Sequence, residues 1–112
     1  MRYFVLNTHR EPVQVFNHGD WTWWMSLHPR ERIVARTDFG DRYRLSTVFQ
    51  GTSDKLFETA IFVWFRPEPV HSFFRRTWEE ADACHHKNEY RVYLRFISEA
   101  EHGGYPLSEW PF

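Results

Sequence analysis

The stretch at residues 43–62, YRLSTVFQGTSDKLFETAIF, decides the fold. Residues 42–49 alternate. Tyr43, Leu45, Thr47 and Phe49 fall on one face, and Arg42, Arg44 and Ser46 on the other. That period of two is the signature of a half-buried antiparallel strand. Residues 50–54 have turn composition, with Gly51, Ser53 and Asp54. Residues 56–65 are apolar on both faces, as a central strand requires. Glu58 sits inside that run, and a carboxylate there must be paired, hydrogen-bonded or raised in pKa. The spacing predicts an ion pair with Arg36, Arg42 or Arg44, or a strand-edge position facing solvent.

Upstream, Ile33, Ala35 and Thr37 mark another alternating strand over residues 32–38, and Phe39-Gly40-Asp41 forms a tight turn to the next. Two short apolar runs, residues 3–6 and 13–16, flank a polar turn and read as a β-hairpin. The strand at residues 3–6 is a candidate exposed edge for dimer formation by strand pairing. Asp20 is the expected N-cap of a short helix near residues 20–28 through Trp21, Trp24 and Leu27, with Pro29 ending it near His28. Downstream, Arg66-Pro67-Glu68-Pro69 stops the central strand. Thr77-Trp78-Glu79-Glu80 is a capping box that opens a helix. Trp78, Ala81, His85 and Val92 share one face of it. Tyr90, Val92, Leu94 and Phe96 alternate with Arg91 and Arg95 and also suit a strand, but no Gly or Pro interrupts, so the helix is read to about residue 97. His102-Gly103-Gly104 closes the body, leaving a tail that packs on the sheet or hangs free. The order β-β-α-β-β-β-α implies one α+β domain over residues 1–112, an antiparallel meander with a long C-terminal helix across one face.

Composition narrows the function classes. With 14 basic and 15 acidic residues, the chain does not coat nucleic acid by bulk charge. Aromatics make up 20 % of the chain, more than a core of this size needs, so some rings are candidate surface anchors for a partner. The single cysteine, Cys84, excludes an internal disulfide and suits a reducing compartment. The N-terminal residues do not read as a signal peptide, and the longest apolar run is only six residues. A soluble, cytoplasmic protein with no membrane contact is expected.

The motifs carry little catalytic chemistry. Cys84-His85-His86 puts adjacent side chains about 100° apart on a helix, poor geometry for one ion. His85 with Glu89, and Asp82 with His86, have workable spacing but no third ligand, so neither a metal nor any other cofactor is expected. His85 reads as a buried, hydrogen-bonded structural histidine. No nucleophile elbow, phosphate loop or dinucleotide fingerprint is present. Arginine is more suggestive, used 12 times against two lysines. Arg30, Arg32, Arg36, Arg42 and Arg44 cluster across two adjacent strands, and Arg75 and Arg76 precede the last helix. Arginine suits bidentate recognition of carboxylate or phosphate and stacks on rings. The candidate binding residues are therefore Arg36, Arg42, Arg44, Tyr43, Glu58, Trp21, Trp24 and His85, with the Arg42–Arg44 face foremost.

From residue 21 to about residue 86 the chain resembles a small family common in phages and prophages of bacteria. The resemblance rests on Val34-Ala35-Arg36-Thr37, Leu45-Ser46-Thr47-Val48-Phe49-Gln50-Gly51, Leu56-Phe57-Glu58-Thr59-Ala60, and Arg76-Thr77-Trp78-Glu79-Glu80-Ala81 with His85 after it. Trp21 and Trp24 match a tryptophan pair often found before the strands. Members carry an Asp-His and a Gly-Pro-Pro segment between the two central strands, where this chain has only Thr52-Ser53-Asp54-Lys55. Gln50 and Ala60 also replace usual apolar residues. The resemblance implies a dispensable, virus-borne accessory protein located in the host cytoplasm. The leading expectation is a non-enzymatic binding protein that inhibits a host protein, such as a component of antiviral defence. The alternatives are a binder of nucleotide or single-stranded nucleic acid through an Arg and aromatic face, and, last, a small hydrolase using Glu58 or His85.

Overall fold

A computed structural model of the chain describes residues 1–64 and 66–101. The expectations for the C-terminal tail lie outside the described residues. The elements run β1 (Tyr3–Leu6), β2 (Pro12–Val15), α1 (His18–Leu27), β3 (Ile33–Phe39), β4 (Tyr43–Phe49), β5 (Phe57–Val63), β6 (His71–Arg75) and α2 (Trp78–Glu101). This is the expected α+β architecture with one strand more. Strands β3-β4-β5-β6 form an antiparallel meander in that order, and β1 and β2 form a separate hairpin.

The alternation along β4 appears directly as burial, with every second residue from Tyr43 to Phe49 buried. In β3 the pattern changes phase. A register irregularity between Ile33 and Ala35 turns Ile33 outward, 45 % exposed, while Val34 packs on the core. Strand β6 escapes the sequence reading because its two aromatics are adjacent: Phe73 packs on the core and Phe74 faces solvent.

Helix α2 starts as its capping box requires. Thr77 Oγ1 accepts from the Glu80 backbone N–H at 3.1 Å and donates to Glu80 Oε1 at 3.0 Å. The helix continues to Glu101, one turn past the expected end. Its inward face buries Ala81, Cys84, His85, Asn88, Val92, Arg95 and Glu99 against the sheet. Two apolar clusters result. One holds Leu6, Phe49, Leu56, Phe57 and Ala81, the other Phe39, Tyr43, Leu45, Ile61 and Val92. Each large side chain so buried contributes about 1.5–3 kcal/mol.

A polar relay lies beneath the same helix. Thr59 Oγ1 and Thr47 Oγ1 are 2.8 Å apart, and Thr47 Oγ1 lies 2.8 Å from His85 Nδ1. His85 Nε2 lies 3.0 Å from Thr37 Oγ1, which donates to Glu89. Three strands are thus tied to α2 through one imidazole. A second tie joins Tyr43, whose hydroxyl donates to Glu99, with Arg95 Nε donating to Glu99 Oε1 at 3.0 Å. Burial and the bond to Glu99 push the Tyr43 hydroxyl pKa up.

The hairpin corrects two expectations. Strand β1 is not a free edge: Phe4 N–H donates to Gly51 O at 2.8 Å, Ser53 N–H donates to Arg2 O at 3.0 Å, and Tyr3 bridges Thr52. Dimer formation through that strand would require breaking these contacts. The N-cap of α1 is Asn17, not Asp20. Asn17 Oδ1 accepts from Gly19 N–H at 2.7 Å and from Asp20 N–H at 3.4 Å, because the helix begins directly where the hairpin ends.

Candidate functional site

Because α2 covers one face of the sheet, side chains of the other parity are left uncovered by the described residues. They form rows set by register. Arg36 lies opposite Ser46, Ser46 opposite Ala60, and Ala60 opposite Ser72. Asp38, Arg44 and Phe62 form the row on one side of this line, and Val48, Glu58 and Phe74 the row on the other. Small residues floor the middle, while arginines and rings rise beside it. Trp64, just beyond β5 and 49 % exposed, sits with its ring centroid 4.7 Å from the Arg44 guanidinium carbon, a cation–π contact. The recess at this end measures about 260 Å³ and is lined by Arg36, Arg44, Ser46, Phe62, Trp64 and Arg66 among others.

Asp38 organises the two inner arginines. Arg44 Nε donates to Asp38 Oδ1 at 2.9 Å, and Arg36 Nη2 donates to Oδ2 at 3.4 Å. The Arg44 hydrogen bond, with the charge of both guanidinium groups, holds the Asp38 carboxyl below the usual carboxylate range. These pairs are solvent-exposed and worth only about 0–1 kcal/mol each, so the arginines can exchange partners at small cost. The arrangement offers a cationic, ring-bearing surface with no nucleophile and general base in contact.

The expected site residues divide between places. Arg36, Arg44 and Glu58 share the uncovered face. Among the described residues Glu58 does not pair with an arginine. Its Oε1 accepts from Gln50 Nε2 at 2.9 Å, while Arg36 and Arg44 pair with Asp38. Arg42 leaves the face as well: strand geometry begins only at Tyr43, and the Arg42 side chain turns to Glu99, Nη1 to Oε2 at 3.3 Å. Tyr43 is 4 % exposed beneath α2. Trp24 meets Phe49 edge to face and stacks on His28, away from the sheet-face recess, and Trp21 packs on Tyr3 and His18.

His85 is fully buried on the face opposite Glu58, so the sheet separates the two residues of the hydrolase reading. Burial pushes the His85 pKa down, against the opposing pull of Glu89. Its neighbours form helical pairs: His86 Nε2 lies 3.3 Å from Asp82 Oδ1, and His86 Nδ1 lies 3.6 Å from Glu89 Oε1. Among the described residues, His, Cys, Asp and Glu do not gather in any group of three or more that could hold a metal. No helix of the described residues is long and apolar enough to cross a membrane.

Sequence reasoning missed Phe62, Trp64, Arg66 and Phe74. Two, Phe62 and Trp64, were accessible by parity. Counting outward from Glu58 places Ala60, Phe62 and Trp64 on the same face of a strand that reads as apolar throughout. Phe74 was hidden with β6. Compared with protein-family models, with curated proteins and with solved structures, the chain has no match.

Proposed function

We propose that this chain is a small, non-catalytic accessory protein of phage or prophage type, which inhibits a host protein by binding an acidic segment of it on the uncovered sheet face. One observation carries the reading: Arg36, Arg44 and Arg66 line one recess with Phe62 and Trp64 on a sheet face that no element of the described residues covers. Arginine and tryptophan are the residue types that dominate protein-binding hot spots. Arg36 and Arg44 share one carboxylate, Asp38, and among the described residues Arg66 forms no ion pair, so an acidic partner is the complementary one. From strand spacing and rise, the face spans roughly 19 by 24 Å, about 450 Å², which is below the ~800 Å² that each partner commits to a standard interface. It therefore suits an extended loop or strand better than a flat domain surface. The resemblance to phage and prophage proteins supports a target in the bacterial host.

The test uses immobilised protein and nuclease-treated bacterial lysate, with wild type beside Arg44→Ala, Trp64→Ala and, as a control remote from the face, Trp23→Ala. The expected result is one host protein retained by wild type and Trp23→Ala, lost with the two face variants, and released by moderate salt. Capture unchanged in Trp64→Ala and Arg44→Ala would overturn the reading. So would capture that disappears on nuclease treatment, which would favour single-stranded nucleic acid on the same face.

A further inference from the structure

A second recess lies where the β1–β2 turn, the C-terminal end of α1 and the start of α2 meet. Its volume is about 570 Å³, inside the roughly 300–1,000 Å³ of small-ligand sites. It shares no lining residue with the sheet-face recess. Two stacked pairs contribute to its walls. The Arg10 guanidinium carbon lies 4.5 Å from the centroid of the Trp78 ring. The Trp24 and His28 rings are nearly parallel, with centroids 4.6 Å apart and planes 16° apart.

The polar groups have a definite chemistry. Arg10 and Arg30 both line the recess, and among the described residues neither forms an ion pair. Glu31 is the one carboxylate in the lining. Two guanidinium groups less one carboxylate leave one net positive charge. His28 Nδ1 lies 2.9 Å from Trp24 O, which can only accept, so Nδ1 carries the proton. The other ring nitrogen, Nε2, can then accept, which is complementary to an exocyclic amino group.

Arg10 is also held in an uncommon conformation. Its φ is 63°, the left-handed region that few non-glycine residues adopt. Asn7 holds the turn there: Asn7 Oδ1 accepts from the His9 and Glu11 N–H groups at 2.9 and 3.0 Å, and Arg10 N–H donates to Asn7 O at 3.0 Å. A backbone so constrained places the one side chain that reaches across to Trp78. Uncommon conformations held by their surroundings cluster at ligand sites.

We infer that this recess binds a nucleoside monophosphate. The base stacks on the Trp24–His28 pair and the phosphate takes the guanidinium groups of Arg10 and Arg30. The small net charge of the recess matches a monophosphate more closely than a triphosphate. The site is independent of the sheet face, and so is its test. Calorimetric titration of the whole protein with AMP, CMP, GMP and UMP is compared with inorganic phosphate and with the free nucleosides. At least one monophosphate binds more tightly than phosphate or its nucleoside alone. Arg30→Ala and Arg10→Asn each weaken it by about tenfold or more, the loss expected for a charge-assisted hydrogen bond. Asparagine tolerates the left-handed conformation, so the turn survives. Arg44→Ala leaves binding unchanged. No heat with any of the four at millimolar concentration would overturn the inference. Equal binding of inorganic phosphate, or wild-type affinity in both arginine variants, would overturn it too.

Discussion

Gly51→Ala tests how the N-terminal hairpin is held. Gly51 has φ +74°, and a Cβ there would lie 2.6 Å from Phe4 O, 2.7 Å from Trp21 Nε1 and 3.1 Å from Phe49 Cε2. The left-handed backbone alone costs alanine about 1–2 kcal/mol. The approach to a backbone carbonyl cannot be relieved by a rotamer, so β1 must move away. That movement loosens the Phe4 N–H to Gly51 O bond, worth about 0.5–1.5 kcal/mol net. The sum is roughly 1.5–3.5 kcal/mol against a total stability of about 5–15 kcal/mol. Gly40→Ala is the internal reference. Its φ is +58°, but its Cβ would meet only the Phe96 ring, at 3.3 Å, which can yield. It should lose only the backbone share. Urea unfolding gives the free-energy loss and thermal unfolding the midpoint of each variant, both followed by tryptophan fluorescence and by circular dichroism. At roughly 4–5 °C per kcal/mol for a chain of this length, the Gly51→Ala thermal midpoint should fall by about 6–18 °C. Equal losses in the two variants would show that the hairpin contact at residue 51 contributes nothing.

Three further outcomes follow from the buried polar groups and the helix cap. Burial lowers the His85 pKa, so the stability held by the neutral ring is whole above the unfolded value near 6.5 and declines as pH falls below it, by at most about 1.4 kcal/mol per pH unit. Urea midpoints at pH 7.5 and pH 5 should therefore differ more for wild type than for His85→Gln, and parallel pH profiles would count against a buried neutral imidazole. Glu99→Leu removes one carboxylate that Arg95, 6 % exposed, bonds to and should cost about 3–5 kcal/mol, whereas adding Arg95→Met should recover much of that loss in the same assay. Thr77→Ala removes the cap of α2 and should cost about 1 kcal/mol, read as a lower thermal midpoint with unchanged far-ultraviolet signal at 20 °C.

Much of the fold is legible because its signals are local and redundant. Alternation along residues 43–49 specifies which face of β4 is buried, and the capping box places the start of α2 to the residue. What was not legible depends on partners distant in sequence. Arg42 has the same parity as Arg44, yet Glu99, 57 positions away, draws it to the other side. Glu58 bonds to Gln50 across the β4–β5 turn, a contact that neither residue's type specifies. Asn17 and Asp20 are both good caps, and only the end point of β2 decides between them. The candidate face was half visible: Arg36 and Arg44 were found from the β3–β4 alternation, while Trp64 required extending the parity of β5 past its apolar run.

The threonine–histidine relay has a consequence for how the sheet chooses its pairing. Sliding β5 along β4 by two residues would keep every apolar side chain on its proper face, so hydrophobicity alone barely discriminates against it. It would, however, put Phe57 or Ile61 opposite Thr47 in place of Thr59. The Thr47–Thr59 bond would be lost and the buried hydroxyls would need new partners, at about 1–3 kcal/mol for each left unsatisfied. The polar row therefore works as a counting device. Greasy positions tell the strands which way to face, and Thr37, Thr47, Thr59 and His85 tell them where to stop.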